Sequence, residues 1–226
     1  MKNPKVDNYY TSRKSKLLKD FEKYSKKYAL NVLQSRYGYE FTDKIVKEAR
    51  QEYEILIPEL PYIGGSKNPR TKNLIQSAWC LALYRALKSH NKTEIEAGDI
   101  IYKSVEAQIN SYPKLLLRLY ASLTWPLVKY RTRKLALTSQ KRRYPEDWVY
   151  SFVPGDGKEF DFGRDYTECG ITKFFHAQGA DGLTPLLCKL EFLICDAQGI
   201  VLTRTGTISE GAGKCDFRYK RGRSTK

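Results

Sequence analysis

The fold of this chain changes character at Trp148-Val149-Tyr150-Ser151-Phe152-Val153, where apolar and polar residues begin to alternate. A period of two is typical of a β-strand with one buried face. Glycine-rich turns at 155–157 and 211–213 suit an antiparallel sheet that follows. Comparable patterns predict further strands at 160–167, 187–195, 200–209 and 215–220, with a short helix at 171–178.

The residues before this stretch have a helical period instead. Between Tyr9 and Tyr28 apolar residues recur every three or four positions, with lysines between them. Similar patterns predict helices at 42–56, 71–89, 94–110 and 113–139. The sequence therefore predicts an α+β protein, in which a helical region, 1–145, packs on an antiparallel sheet region, 146–226, within one compact unit.

The 226 residues, 41% of them apolar, suffice for a packed core. No stretch approaches the roughly 18 apolar residues of a membrane span. The first residues, Met1-Lys2-Asn3-Pro4-Lys5, lead into a polar segment without a signal-peptide core. We therefore expect a cytoplasmic protein with no membrane partner, and the sequence does not indicate its oligomeric state.

The chain is strongly basic, with a formal net charge of +15. Clustered cations bind nucleic acids by releasing counterions from phosphates, so this partner class must be weighed. The densest run, from Lys129 to Arg143, has seven basic and no acidic residues, but no nucleic-acid-binding motif accompanies it. The sequence favours a solvated basic face over a nucleic-acid site.

Five cysteines form an odd set without the CxxC spacing of zinc ribbons. We expect reduced thiols. Cys80 and Cys195 lie in apolar runs and are predicted to be small buried residues. The other three, Cys169, Cys188 and Cys215, lie among charged and glycine-rich segments.

Several segments in order along the chain resemble a known family. They include Pro61-Tyr62-Ile63-Gly64-Gly65, Cys169, Cys188 with Glu191, Leu202-Thr203-Arg204-Thr205-Gly206-Thr207, and Gly211-Ala212-Gly213-Lys214-Cys215-Asp216-Phe217-Arg218. On these segments the chain resembles the L-2-amino-thiazoline-4-carboxylic acid hydrolases. The resemblance implies a hydrolase that opens a small cyclic amidine or acts on a related sulfur-containing metabolite, by attack of water or of a cysteine thiolate.

Two residues depart from the family pattern. Glu191 stands where the family usually has Asp, and Gly170 stands where a Pro commonly follows the first cysteine. A Glu carboxylate reaches about one carbon further, so the base geometry or the substrate is expected to differ. The Gly-x-x-x-Cys-x-Phe end of the sheet also resembles vinyl-reductase-like ligand-binding domains. This second likeness implies an alternative function, a non-catalytic module that binds a hydrophobic ligand or a tetrapyrrole.

The reaction implied by the first resemblance needs a nucleophile, a base and a cation. Cys169, Cys188 and Cys215 are the candidate catalytic thiols, and Cys169 stands just before a predicted helix, which favours a thiolate. Structural burial of the thiols is an alternative. No cofactor is predicted, although a zinc site of three thiolates with a histidine or water is a further alternative.

The remaining candidates bind substrate or move protons. Glu191 is the best candidate for the general base, although on a strand it would face away from Cys188. Arg204 and Arg218 are predicted to anchor a substrate carboxylate, because a guanidinium binds it with two hydrogen bonds. Thr205, next to Arg204, and His176 complete the predicted substrate-binding set. His176 is either a proton shuttle or an ordinary partly buried imidazole.

Overall fold

The computed structural model describes residues 9–222, and the predicted α+β fold is confirmed. Helices dominate the first part of the chain and all strands follow residue 148. The helices are α1 (Lys14–Tyr24), α2 (Leu30–Tyr37), α3 (Tyr39–Leu56), α4 (Thr71–Ser89), α5 (Glu94–Asn110), α6 (Lys114–Ser139), α7 (Gly170–Ala177), α8 (Leu183–Cys188) and α9 (Leu190–Ala197). The strands are β1 (Val149–Pro154), β2 (Phe162–Glu168), β3 (Ile200–Thr203) and β4 (Cys215–Arg221). None of the helices within residues 9–222 has both the length and the apolar character needed to cross a bilayer.

The chain divides into two compact units. The first holds the residues up to Gln108 together with Phe174–Leu183, and the second holds Ile109–Lys173 and the residues from Thr184 onward. The change from helix to strand does fall near residue 145, between α6 and β1. Helix α6 nevertheless belongs to the unit that contains the sheet, so 145 separates types of secondary structure and not compact units.

The first unit is built on the pair α3 and α4, which make the most extensive helix contact in the protein. Tyr53 of α3 is fully buried, and its ring lies 5.1 Å from that of Phe21 on α1. Trp79 of α4 closes this aromatic cluster at 6.3 Å from each of those two rings. Aromatic contacts of this kind fix the angles at which the amphipathic helices pack.

The sheet of the second unit has the strand order β1-β2-β4-β3, and each neighbouring pair is antiparallel. One face, which we call the inner face, packs against α6 and α9. Phe162 and Tyr219 oppose each other there, and Trp125 of α6 lies 5.1 Å from the Phe162 ring. Because side chains alternate along a strand, Cys215 and Phe217 share this face with Tyr219.

The strand predicted at 187–195 is wrong, because this segment forms the end of α8 and all but the last two residues of α9. Short apolar runs do not distinguish a strand from a buried helix by periodicity. The deciding feature is Gly199, which has a φ of +69° and follows the last turn of α9 as a helix-terminating glycine does. As a result Cys188 and Glu191 lie on different helices, and the strand argument that put them on opposite faces no longer applies.

The third strand is shorter than predicted and ends at Thr203 instead of Ser209. The Asp216 carboxylate accepts hydrogen bonds from the backbone amides of Thr205 and Gly206, at 2.8 and 3.1 Å. These amides therefore cannot continue the ladder. The chain turns instead through a short 3-10 helix, Ile208–Glu210, and Gly211 at a φ of +88° ends it.

Candidate functional site

A turn, residues 207–210, forms the centre of the candidate site, and Thr207 is its buried residue. Thr207 is fully buried, and its hydroxyl donates to the Glu210 carboxylate at 2.5 Å. The same hydroxyl lies 3.0 Å from the Ser209 hydroxyl. The amide of Ala212 donates to the Thr207 carbonyl at 3.0 Å and closes the loop. These bonds make the turn a rigid platform in a segment that has little regular secondary structure.

Two of the predicted thiols contact this turn. The Ile208 amide donates to Cys215 Sγ at 3.1 Å, and Cys188 Sγ lies 3.5 Å from Ser209 Oγ. Cys169 is close enough that a negative charge on it would raise the pKa of Cys188 and of Cys215. The structure thus brings Cys169, Cys188 and Cys215 together, although they are far apart in sequence.

Burial is the main influence on two of these thiols. It raises the pKa of Cys188, and it raises that of Cys215 to about 11. Both groups are therefore protonated thiols at neutral pH. A protonated thiol is a poor nucleophile, since the thiolate is the reactive form.

Arg204 supplies the positive charge beside the thiols. Its Nη1 donates to the Cys188 carbonyl at 3.0 Å, and its guanidinium lies over the rings of Phe192 and Phe217, at 4.8 and 5.7 Å. This cation lowers the pKa values of Cys188 and Cys215, but by less than burial raises them. Within residues 9–222 its other donors have no hydrogen-bond partner, so they are free to bind an anion.

Cys169 is placed by the start of α7, where the Lys173 amide donates to its carbonyl at 3.0 Å. The next residue, Gly170, lies against the loop before β1. A Cβ at this position would lie 2.7 Å from the Glu146 carbonyl oxygen and 2.8 Å from the Trp148 ring. This contact is a physical reason for the departure at Gly170, because the backbone here has no room for a side chain.

We expect Gly170→Ala to destabilise the protein by about 1–3 kcal/mol, the usual cost of forcing a methyl group into a packed site. Chemical denaturation of the variant and of wild type measures this difference. The control is Gly213→Ala, because a Cβ at Gly213 would meet no atom within 4 Å. Gly157→Ala is unsuitable as a control, because the positive φ of Gly157 would itself strain an alanine. Equal stability of the Gly170 variant and wild type would contradict the packing.

Glu191 belongs to a second polar group on the inner face. Its Oε1 accepts a hydrogen bond from the Tyr219 hydroxyl at 3.3 Å. Tyr219 is four residues from Cys215 along β4, a span of about 13 Å. The predicted placement of Glu191 beside the cysteines therefore has no direct contact to support it.

The centre of this second group is Arg164 of β2, a residue that sequence reasoning missed. Its guanidinium lies 5.0 Å over the Tyr219 ring and donates to Thr132 Oγ1 of α6 at 3.1 Å. Its Nε is buried and has no hydrogen-bond partner among the described residues. Burial by itself lowers its pKa, but Tyr166, Tyr219 and Glu191 outweigh burial and raise it.

The signal for Arg164 is present in the sequence. In Phe162-Gly163-Arg164-Asp165-Tyr166 it occupies an inward position of an alternating strand, two residues from the buried Phe162. A charge at such a position is costly unless it has partners or a function. None of the segments that carry the family resemblance contains Arg164, so the resemblance does not indicate it.

Two predicted substrate-binding residues lie away from the thiols. Arg218 is on the outer face of the sheet, where it donates to Asp165 at 2.7 Å. Thr205 is exposed, and its hydroxyl donates to the Asp216 carboxylate at 2.8 Å. Both side chains are therefore used in structural contacts, and neither points to the side of the sheet that holds Cys215.

His176 belongs to the first compact unit, whereas the thiols and Arg204 belong to the second. Its Nδ1 lies 3.0 Å from the Asp181 carboxylate, and its side chain is 79% exposed. The expectation of a partly buried imidazole is therefore wrong. A role in proton transfer stays a prediction.

No three His, Cys, Asp or Glu side chains in the described part of the chain are arranged to hold a metal ion. The zinc alternative stays a prediction.

Comparison with protein families gives a match to the L-2-amino-thiazoline-4-carboxylic acid hydrolase family over residues 72–219. This match covers more than half of the chain and confirms the resemblance found in the sequence. A search of curated proteins gives no significant match.

Proposed function

Because the chain belongs to the L-2-amino-thiazoline-4-carboxylic acid hydrolase family, we propose that it hydrolyses a small cyclic amidine that carries a carboxylate, with 2-amino-thiazoline-4-carboxylate as the model substrate. The family supports a hydrolase in general, and the bond and substrate are our proposal. The observation that carries it is that Cys188 and Cys215 contact one turn beside Arg204, a cation with free donors. Cys169 is near enough to act electrostatically on both thiols.

Arg204 binds the substrate carboxylate in this proposal. Its unused guanidinium donors suit a bidentate carboxylate, and the Phe192 and Phe217 rings hold the guanidinium in place. The ring of a bound thiazoline would then lie near the thiols that flank Arg204.

Cys169 is the proposed nucleophile, because Cys188 and Cys215 are engaged by the turn through the Ser209 hydroxyl and the Ile208 amide, and burial disfavours their thiolates. The Cys169 thiol gives its proton to the solvent as its sulfur attacks the amidine carbon. The ring carbon–sulfur bond breaks, and the ring sulfur takes a proton from solvent. The product of this step is an isothiourea on Cys169. Water then adds to the same carbon, its oxygen becomes the carbonyl of N-carbamoyl-cysteine, and Cys169 leaves with a proton.

Glu191 has a different role in this scheme from the predicted general base. Its carboxylate accepts a hydrogen bond from Tyr219 and acts electrostatically on the Arg164 cation. We propose that it balances the charge of Arg164 and fixes the inner face on which Phe217 and Arg204 rest.

The alternative function is a ligand-binding module without turnover. The observation that favours it is the aromatic character of the inner face, where Phe162 and Phe217 stack on Tyr219 with ring separations of 5.2 and 6.2 Å. One assay distinguishes the hydrolase from the ligand-binding module. Formation of N-carbamoyl-cysteine from the model substrate supports the hydrolase, whereas binding of the substrate or of apolar ligands without any product supports the module.

Arg204→Leu should raise KM for the thiazoline carboxylate by about 10- to 100-fold with a smaller change in kcat, since the carboxylate is held alike in the ground and transition states. Steady-state kinetics measure both constants. Arg218→Leu, on the outer face, is the matched comparison and should keep KM near that of wild type. A larger KM effect at Arg218 than at Arg204 would reverse the assignment of the anchor.

A further inference from the structure

Helix α6 has two apolar sides. One side packs on the sheet through Ala121, Trp125 and Thr132, all buried. The opposite side is exposed to solvent, yet it also consists of large apolar residues. Their side chains are 44% to 78% exposed: Leu115, Leu116, Leu119, Tyr120, Leu123, Leu127, Tyr130 and Leu137. A helix that is apolar on both sides is normally buried on both sides.

The exposed residues follow a heptad spacing. From Leu116 the steps to Tyr120, Leu123, Leu127 and Tyr130 are four, three, four and three residues. The next two positions in the series are Lys134 and Leu137. We call these seven residues the α6 seam. Alternating steps of three and four are typical of helices that pack side by side in a coiled-coil manner.

The charges on α6 distinguish between its candidate partners. Lys134 lies within the seam, where a lipid-facing helix would place a charge among acyl chains. In a helix pair a single lysine at such a position is tolerated and sets the register. The helix has no acidic residue, and most of its cations, Lys129, Arg131, Arg133 and Lys134, cluster in the C-terminal half.

We propose that the α6 seam is a dimer interface, in which α6 packs against α6 of a second copy of this chain in antiparallel orientation. A parallel pair would bring the two cationic clusters together, and like charges at close range repel. An antiparallel pair places each cluster opposite the leucines at the start of the partner helix. Twofold dimers of identical chains are the commonest soluble oligomers.

Sedimentation equilibrium of the full-length protein tests the proposal. We expect wild type to be dimeric at about 10 µM, and Leu123→Arg, at the centre of the seam, to weaken association at least ~100-fold, as loss of a central anchor residue does. Ile95→Arg on α5, where the native side chain is equally exposed, is the control and should leave the dimer intact. Tyr130→Arg repeats the test if circular dichroism shows that the first variant does not fold.

A short amine-reactive cross-linker tests the orientation. Lys114 and Lys134 are about 30 Å apart within one helix, which such a reagent cannot span. Links between them in the dimer support the antiparallel pair, whereas links between Lys134 of one copy and Lys134 of the other would overturn it. A monomeric wild type at about 100 µM, dimers that persist in both seam variants, or monomers that sediment with anionic vesicles would each overturn the interface itself.

Discussion

Cys169→Ala should slow thiazoline ring opening by on the order of 10³-fold or more, the scale of loss when an enzyme loses its nucleophile. Cys188→Ala and Cys215→Ala should have much smaller effects, because burial keeps these thiols protonated and they are not the attacking groups. Steady-state product formation measures all three variants. Cys80→Ala is the control, since this thiol lies in the first compact unit with its pKa raised by burial to about 12.

A covalent intermediate provides an independent measurement. Rapid quenching of wild type with substrate, followed by mass spectrometry, should show an added mass on the peptide that contains Cys169. Turnover near the wild-type rate by Cys169→Ala would instead mean that water attacks the amidine carbon directly. That result would leave the hydrolase in place and remove the thiol from the mechanism, so the two conclusions can be separated.

Arg164→Met should lower the free energy of unfolding by about 1–3 kcal/mol, the usual cost of leaving partly buried polar partners unsatisfied. Methionine fills a similar volume, but Glu191 and Tyr219 would lose the cation that faces them. Urea denaturation measures the loss. Arg218→Met on the outer face is the matched comparison and should cost less, because Asp165 keeps a second cation, Lys214.

The double variant Arg164→Met with Glu191→Gln tests the reason for that loss. If Glu191 balances the buried cation, removal of both charges should recover part of the stability lost in the single variant. Glu191→Gln alone should destabilise the protein and keep most of the turnover rate. If this variant instead turned over substrate about a hundredfold more slowly at unchanged stability, Glu191 would be restored as the general base.

The fold was largely predictable because a long segment with a regular hydrophobic period indicates its own secondary structure. The helix predicted at 71–89 has these bounds in the structure, and the strand predicted at 215–220 differs from β4 by one residue. The failure at 187–195 lies in a short apolar run, where helix and strand patterns overlap. Gly199, just after the end of α9, is the feature that distinguishes a helix from a strand in this segment.

The candidate site was predictable in part, for a different reason. The family motifs led to the thiols and Arg204, which do meet, but the motifs contain no information on which face of the sheet each residue occupies. Arg218 shares a motif with Cys215, and Thr205 shares one with Arg204. Yet Arg218 donates to Asp165 and Thr205 donates to Asp216, and these bonds hold both side chains away from the thiols. Arg164 belongs to no motif that was used, and its importance follows from burial, which only the packed structure shows.

The Asp216 carboxylate, which ends β3 after four residues, also limits what the sheet can do outside its own chain. β3 is an edge strand, and a free edge is a template for uncontrolled pairing with other molecules. Successive amides of a strand point to opposite edges, so by capturing those of Thr205 and Gly206 Asp216 removes one donor that a longer edge strand would present to a neighbour. The same carboxylate that shapes the turn beside the thiols therefore also shortens the edge on which such pairing could begin.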